Sequence, residues 1–236
     1  MKKMFLKLVL LCLWRLDGVF GEVKRVKEGD SVTLNYDLTE MKDDDVIQWR
    51  FRNTLIAEIN VTADRFTVND DVPDGRFRDR LKLDNQTGSL TITNTTMKHI
   101  GVYQQTNNKS DNFHLAVTVS VTEGDSVTLN PDLTGMEDGD HIMWRFKETA
   151  IAVIIKRTDR FTVNDDVLDG RFRDRVKLDN QTGSLTITNI TMKHAGEYDY
   201  ILFLLTSPVQ LWRYSYIYLI VYGELNISFT CFIYYS

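Results

Sequence analysis

Four histidines, His99, His114, His141 and His194, are the side chains best suited to acid–base or metal chemistry in this 236-residue chain. No two stand at metal-ligand spacing, and none shares a motif with a serine or cysteine nucleophile. The sequence therefore reads as a non-enzyme with no cofactor and no metal. Acidic clusters are the next candidates. Asn69-Asp70-Asp71 followed by Asp74-Gly75, and its echo Asn164-Asp165-Asp166 followed by Asp169-Gly170, lack the alternating oxygens and distal bidentate glutamate of a calcium loop. Both read as solvated turns, as does Asp43-Asp44-Asp45. Modification chemistry is richer. Seven Asn-x-Ser/Thr tripeptides begin at Asn60, Asn85, Asn94, Asn108, Asn180, Asn189 and Asn226, and they become glycosylation acceptors if the chain is exported.

Export is what the N-terminus predicts. Lys2 and Lys3 give a positive start, Phe5 to Trp14 is mostly apolar, and Val19 and Gly21 are small residues before a cut at Glu22, so residues 1–21 read as a signal peptide. Its loss takes the formal charge from −5 to −8, the wrong sign for a nucleic-acid binder, which needs clustered cations. Cys12 leaves with the signal and only Cys231 remains, so no disulfide within a domain is expected.

The elements that must position any site come in two copies. Residues 26–105 recur at 121–200 without insertion or deletion, with about 58 of 80 aligned pairs identical. A unit of that length is a domain, not a solenoid repeat. Within each copy, short alternating segments are separated by Gly, Asn and Asp clusters, which predicts an all-β sandwich. The expected strands of the first copy include Val32-Leu34-Tyr36, Ile47-Trp49-Phe51, Thr54 to Val61 with Leu55, Ala57 and Ile59 inward, Phe77 to Leu83, Ser89 to Thr93, Val102 to Thr106 and Phe113 to Val119. After Tyr200 the repeat ends. An apolar stretch from Ile201 to Tyr222 is broken by Pro208, Gln210 and Arg213, which suits the end of one strand, a loop and a last strand better than a membrane span.

Several of these residues carry a resemblance. Gly29 to Leu34, Trp49, Arg76-Phe77, Ser89 to Ile92 and Gly101-Val102-Tyr103 resemble strands B, C, D, E and F of an immunoglobulin variable-type domain, with Tyr103 at the tyrosine corner. Gly124 to Leu129, Trp144, Arg171-Phe172, Ser184 to Ile187 and Gly196-Glu197-Tyr198 match in the second copy. The resemblance implies two tandem variable-type sandwiches, at 22–120 and 121–222 with an open end after residue 200, then a tail at 223–236. Core residues are then Trp49, Tyr103, Trp144 and Tyr198. The two bridge positions fall at Tyr36 and Gln105, and at Pro131 and Tyr200, so both intersheet disulfides are absent. A bridge across such a loop of ~70 residues would add roughly 4 kcal/mol in the chain-entropy view. Where the pattern expects a carboxylate to meet the strand D arginine, this chain has His99 and His194, leaving Arg76 and Arg171 to find other partners.

A bridge-free variable-type domain in an exported chain is similar to the membrane-distal domain of the SLAM family of leukocyte adhesion receptors, its fish members in particular, through Leu38 to Asp45 and Gly75 to Asp84. That resemblance implies cell-surface or secreted placement, and adhesion through the outer face of the sheet carrying strands G, F, C and C′. The partner would be an immunoglobulin-domain receptor on another cell, homophilic or heterophilic, with no nucleic acid and no small-molecule substrate. The outward residues are Gln48, Arg50 and Arg52 on C, Glu58 and Asn60 on C′, and Val102, Gln104 and Thr106 on F. Most of the 22 differences between copies lie from B–C to C′, so the copies should not present the same face. The rival reading is a soluble decoy or non-adhesive isoform of a longer receptor.

Overall fold

Alternation of apolar with polar residues puts successive side chains on opposite faces of a strand, and the alternating segments do form short strands. A computed structural model describes residues 21–35, 46–72, 74–107, 110–133, 136–137, 139–155, 160–164, 166–204 and 211–223. The first copy contributes β1 (Glu22–Lys27), β2 (Val32–Leu34), β3 (Val46–Phe51), β4 (Thr54–Asn60), β5 (Arg65–Val68), β6 (Leu81–Leu83), β7 (Leu90–Ile92) and β8 (Gly101–Thr106), then β9 (Ser110–Thr122). The second contributes β10 (Val127–Leu129), β11 (His141–Phe146), β12 (Thr149–Ile155), β13 (Arg160–Val163), β14 (Val176–Leu178), β15 (Leu185–Ile187), β16 (Gly196–Leu204) and β17 (Leu211–Tyr222). A turn at Val167–Gly170, with Leu168, Asp169 and Gly170 at positive φ, and two 3₁₀ turns at Met97–His99 and Met192–His194 complete the described elements.

The described residues fall into two compact units, one within Thr33–Thr91 and Val102–Leu115, the other within Arg25–Val32, Ile92–Gly101 and the part from Ala116 to residue 223. In sheet order the first copy runs β5-β4-β3-β8-β9, with a smaller sheet β2-β7-β6. The second runs β13-β12-β11-β16-β17, with β10-β15-β14 as its small sheet. The last residues of β9, Val117 to Thr122, pair in parallel with Ile217 to Tyr222 of β17.

Inward residues fill each core. Trp49 and Trp144 are fully buried, and each indole Nε1 donates at 2.8 Å to a turn carbonyl, Gly88 or Gly183. Beside Trp49, Phe51, Phe77 and Tyr103 form a ring cluster with centroids 4.9 to 6.2 Å apart. Phe146, Phe172 and Tyr198 repeat it. Each such pair adds about 0.5–1.5 kcal/mol beyond its buried area. The Tyr198 hydroxyl donates to the His194 carbonyl at 2.7 Å, four residues upstream, closing a tyrosine corner.

Several expectations need correction. Leu55 does not face inward. A bulge between Trp49 and Arg50 pairs Trp49 with Ala57 but Arg50 with Leu55, so Ile56 is the extra residue; it turns into the core and Leu55 moves to the outer face. Ile151 plays the same part in the second copy. The strand expected from Phe77 is only Leu81–Leu83, because the chain turns through Arg78 N to Gly75 O and Arg80 N to Phe77 O while the Phe77 ring enters the core. Arg52 is not on strand C. It begins the β3–β4 turn at φ 48°, with its guanidinium 4.9 Å from the Phe51 ring centroid. After the repeat, β16 and β17 form an antiparallel hairpin from Gly196↔Leu219 to Leu204↔Leu211. The signal segment through residue 20, Tyr36, the acidic loop at 43–45, Asn108, Pro208 and the tail from 224, with Asn226 and Cys231, lie outside the described residues.

Candidate functional site

On the outer face of the first copy's larger sheet, β3 lies between β4 and β8, and register sets the neighbours: Gln48 opposite Glu58 and Thr106, Arg50 opposite Gln104. These polar side chains bond to one another. Gln48 Nε2 donates to Glu58 Oε2 at 2.7 Å, and Arg50 Nη2 donates to Gln48 Oε1 at 3.0 Å. From β5, Arg65 Nη2 reaches Glu58 Oε1 at 3.3 Å. Arg50 Nη1 also holds the Asn53 carbonyl at 3.2 Å, and Gln104 Nε2 donates to Ser110 Oγ at 2.9 Å. The result is a polar ladder, Arg65–Glu58–Gln48–Arg50, across three strands, exposed at Arg65 and half-buried at the other three. Val102 lies near one end, where its carbonyl accepts from the Arg52 amide at 3.1 Å. Asn60 is half-buried at the end of β4, its Oδ1 accepting from Ala63 N at 2.9 Å.

The second copy is built differently on the same strands. Arg145, which takes the place of Arg50, donates from Nε and Nη2 to both oxygens of Asp199 at 2.7 and 3.1 Å. Asp199 stands where the first copy has Gln104. Both side chains are buried, and desolvation pushes the Asp199 carboxyl up against the pull of Arg145. The pair was readable only as a change of Gln104 to Asp199 opposite an unchanged arginine, a signal the sequence reading did not use.

The arginines of the β5–β6 and β13–β14 connections, Arg76 and Arg171, do find partners. Arg76 grips Asp74 through Nε and Nη2 at 3.0 and 2.7 Å. Arg171 instead donates Nε to the Leu168 carbonyl at 2.9 Å and Nη1 to the Lys193 carbonyl at 3.2 Å. His99 and His194 serve the 3₁₀ turns: each Nδ1 accepts the amide of Thr96 or Thr191 at 2.9 Å. With Nδ1 accepting, His194 carries its proton on Nε2 and donates to the Arg171 carbonyl at 2.8 Å. Burial lowers its pKa, keeping the ring neutral. The acidic turns are likewise engaged by protein groups: Arg78 holds Asp71 at 2.6 and 2.9 Å, and the Asp79 amide donates to Asp70. Asn85, Asn94, Asn180 and Asn189 are exposed at turns, open to modification.

No family model matches the chain, and no curated protein matches it. Among solved structures, the first Ig-like domain of human CD48 is similar at 21% identity, covering 52% of this chain and 92% of that one, with a TM-score of 0.39. CD84, described in the context of SLAM family function, is similar at 21% over 45% and 97%, with a TM-score of 0.37. The V domain of amphioxus IgVJ-C2 gives 22%, 44% and 99%, with a TM-score of 0.38. The fold is immunoglobulin-like and of variable type. That assignment rests on the strand order, the buried indole and the tyrosine corner. Among the described residues, no helix is long and apolar enough to cross a membrane.

Proposed function

We propose that the chain is a secreted or surface-attached glycoprotein of the immune-receptor kind, with two variable-type modules at 22–120 and 121–222, and that the first binds another immunoglobulin-like domain in leukocyte adhesion. The observation that supports this is the ladder Arg65–Glu58–Gln48–Arg50. Four long side chains already hold one another in place, so a partner meets donors and acceptors whose ordering cost has been met in the free protein. A charged, polar face of this sort favours fast, selective and weak contact over tight binding. Thr106 and Gln104 on β8 extend the face away from β5, and Val102 and Arg52 close it at the turn end.

The test is a screen of the full secreted chain against immunoglobulin-domain ectodomains, itself included, followed by Arg50→Glu and Glu58→Lys on whichever pair associates. Each reversal should weaken association at least tenfold and flatten its salt dependence. Unchanged affinity in both variants removes this face as the contact.

A further inference from the structure

At the end of the second copy bearing its 3₁₀ turn lies a cleft of about 600 Å³, lined by Glu123, Leu168, Arg171, Arg175, Met192 and Lys193 among others. Its volume falls within the roughly 300–1,000 Å³ range of small-molecule sites. The cleft owes its charge to one difference between the copies. In the first, the loop reads Val72-Pro73-Asp74-Gly75, and Asp74 neutralises Arg76 through two bonds. In the second it reads Val167-Leu168-Asp169-Gly170, and Leu168 sits in the left-handed region at φ 56°, ψ 47°. A proline ring, locked near −65°, cannot adopt that angle.

The consequence is a guanidinium without a counter-charge. Leu168 offers its carbonyl to Arg171 Nε, Lys193 offers its own to Nη1, and among the described residues no carboxylate pairs with Arg171. Among the described residues its Nη2 has no hydrogen-bond partner. Arg175 spends only Nη1, on the Asn189 carbonyl, keeping Nε and Nη2. Both arginines line the cleft together with the buried His194. Lys193 adds a third cation from the turn itself. Against these stand Glu123, already engaged with the Met192 amide at 3.4 Å, and Asp169. A cationic hollow on a chain of net charge −5 is a place where an oxyanion gains from paired guanidinium donors.

We propose that this cleft binds the anionic group, a carboxylate or a sulfate, of an acidic sugar. The free N–H groups of Arg171 and Arg175 take the oxyanion and Lys193 reinforces the field. Leu168 and the half-open Met192 give the C–H face of a ring an apolar wall. No phenylalanine, tyrosine or tryptophan lines the cleft and the His194 ring is buried, so it lacks the exposed stacking platform a nucleobase would use.

The test uses the full chain and four probes: N-acetylneuraminic acid, galactose 6-sulfate, inorganic sulfate and galactose, each titrated by NMR at low salt. At least one acidic sugar should bind, weakening as salt rises, with galactose at least tenfold weaker; which of the two binds tighter names the source of the anion. Leu168→Pro, which restores the first copy's loop, should cost at least tenfold. So should the double variant Arg175→Gln/Lys193→Gln, whose side chains lie outside the core and whose near-UV circular dichroism should match the parent. Absence of binding by both acidic sugars overturns the proposal, as does unaltered binding in the double variant or in a folded Leu168→Pro protein. Inorganic sulfate binding as tightly as the sugars would mean a bare anion site and would overturn the sugar assignment.

Discussion

Gln105 offers the sharpest test of how a variable-type sandwich stands without its crosslink. It lies on β8 opposite Trp49, is fully buried, and neither its Oε1 nor its Nε2 has a hydrogen-bond partner. A buried amide without partners costs about 1–3 kcal/mol by protein mutational measures. Methionine has nearly the same length and no strong polar atom, so Gln105→Met should remove that cost without opening a cavity. The expected gain is therefore about 1–3 kcal/mol, and each kcal/mol should raise the melting temperature of a domain this size by about 4–8 °C. Unfolding in guanidinium chloride, followed by the fluorescence of the buried indoles, reads the change. The second copy supplies the control. There the same position is Tyr200, whose hydroxyl accepts the Asp132 amide at 3.0 Å while its ring lies 5.1 Å from Trp144. Tyr200→Phe should cost about 1 kcal/mol, the worth of one ordinary hydrogen bond. A Gln105→Met protein no more stable than the parent would show that the amide is satisfied after all, and the reasoning would fail.

Two further outcomes follow from local geometry. Gly183 sits at φ +68°, and a Cβ there would come within 2.5 Å of Ile142 Cδ1, so Gly183→Ala should destabilise by about 2–4 kcal/mol; at Gly124 nothing lies within 4 Å, and alanine there should cost only the backbone term of about 1 kcal/mol, both read by the same denaturation. Asp84 and Asp179 each accept two turn amides, from Gln86 and Thr87 or Gln181 and Thr182, and these bonds lower both pKa values. Their contribution is present above the unfolded carboxylate range and is lost as pH falls through the depressed folded values, so Asp84→Asn/Asp179→Asn should show a flatter loss of stability with acid than the parent.

Much of the fold was legible because burial and alternation are local properties. Trp49 and Trp144 announce a core strand by their apolar neighbours two residues away, and Tyr198 announces the corner. The Ile56 bulge was not legible, because Leu55, Ile56 and Ala57 are all apolar and a one-residue slip costs nothing in composition. Strand β5 was missed for the opposite reason: Arg65 to Val68 are all exposed, so no face differs from the other. At the candidate face, the sequence placed Gln48, Arg50 and Glu58 together through simple alternation. It could not show that they bond to each other or that Arg52 leaves the strand at a left-handed turn. The replacement of the Asp74 grip on Arg76 by backbone carbonyls at Arg171 accompanies the left-handed backbone angle of Leu168, which residue type does not announce.

The histidine latch has a chemical consequence of its own. His194 ties a 3₁₀ turn to Arg171 by accepting with one nitrogen and donating with the other, a bifunctional role open to a neutral imidazole and closed to a cation, whose two nitrogens both donate. A carboxylate in that place would keep its grip down to strongly acidic solution. An imidazole lets go once a proton reaches Nδ1, and the neighbouring Arg171 and Arg175 then repel the new charge. Because burial already lowers the pKa of this ring, only acid beyond the ordinary histidine range would unfasten this end of the sandwich.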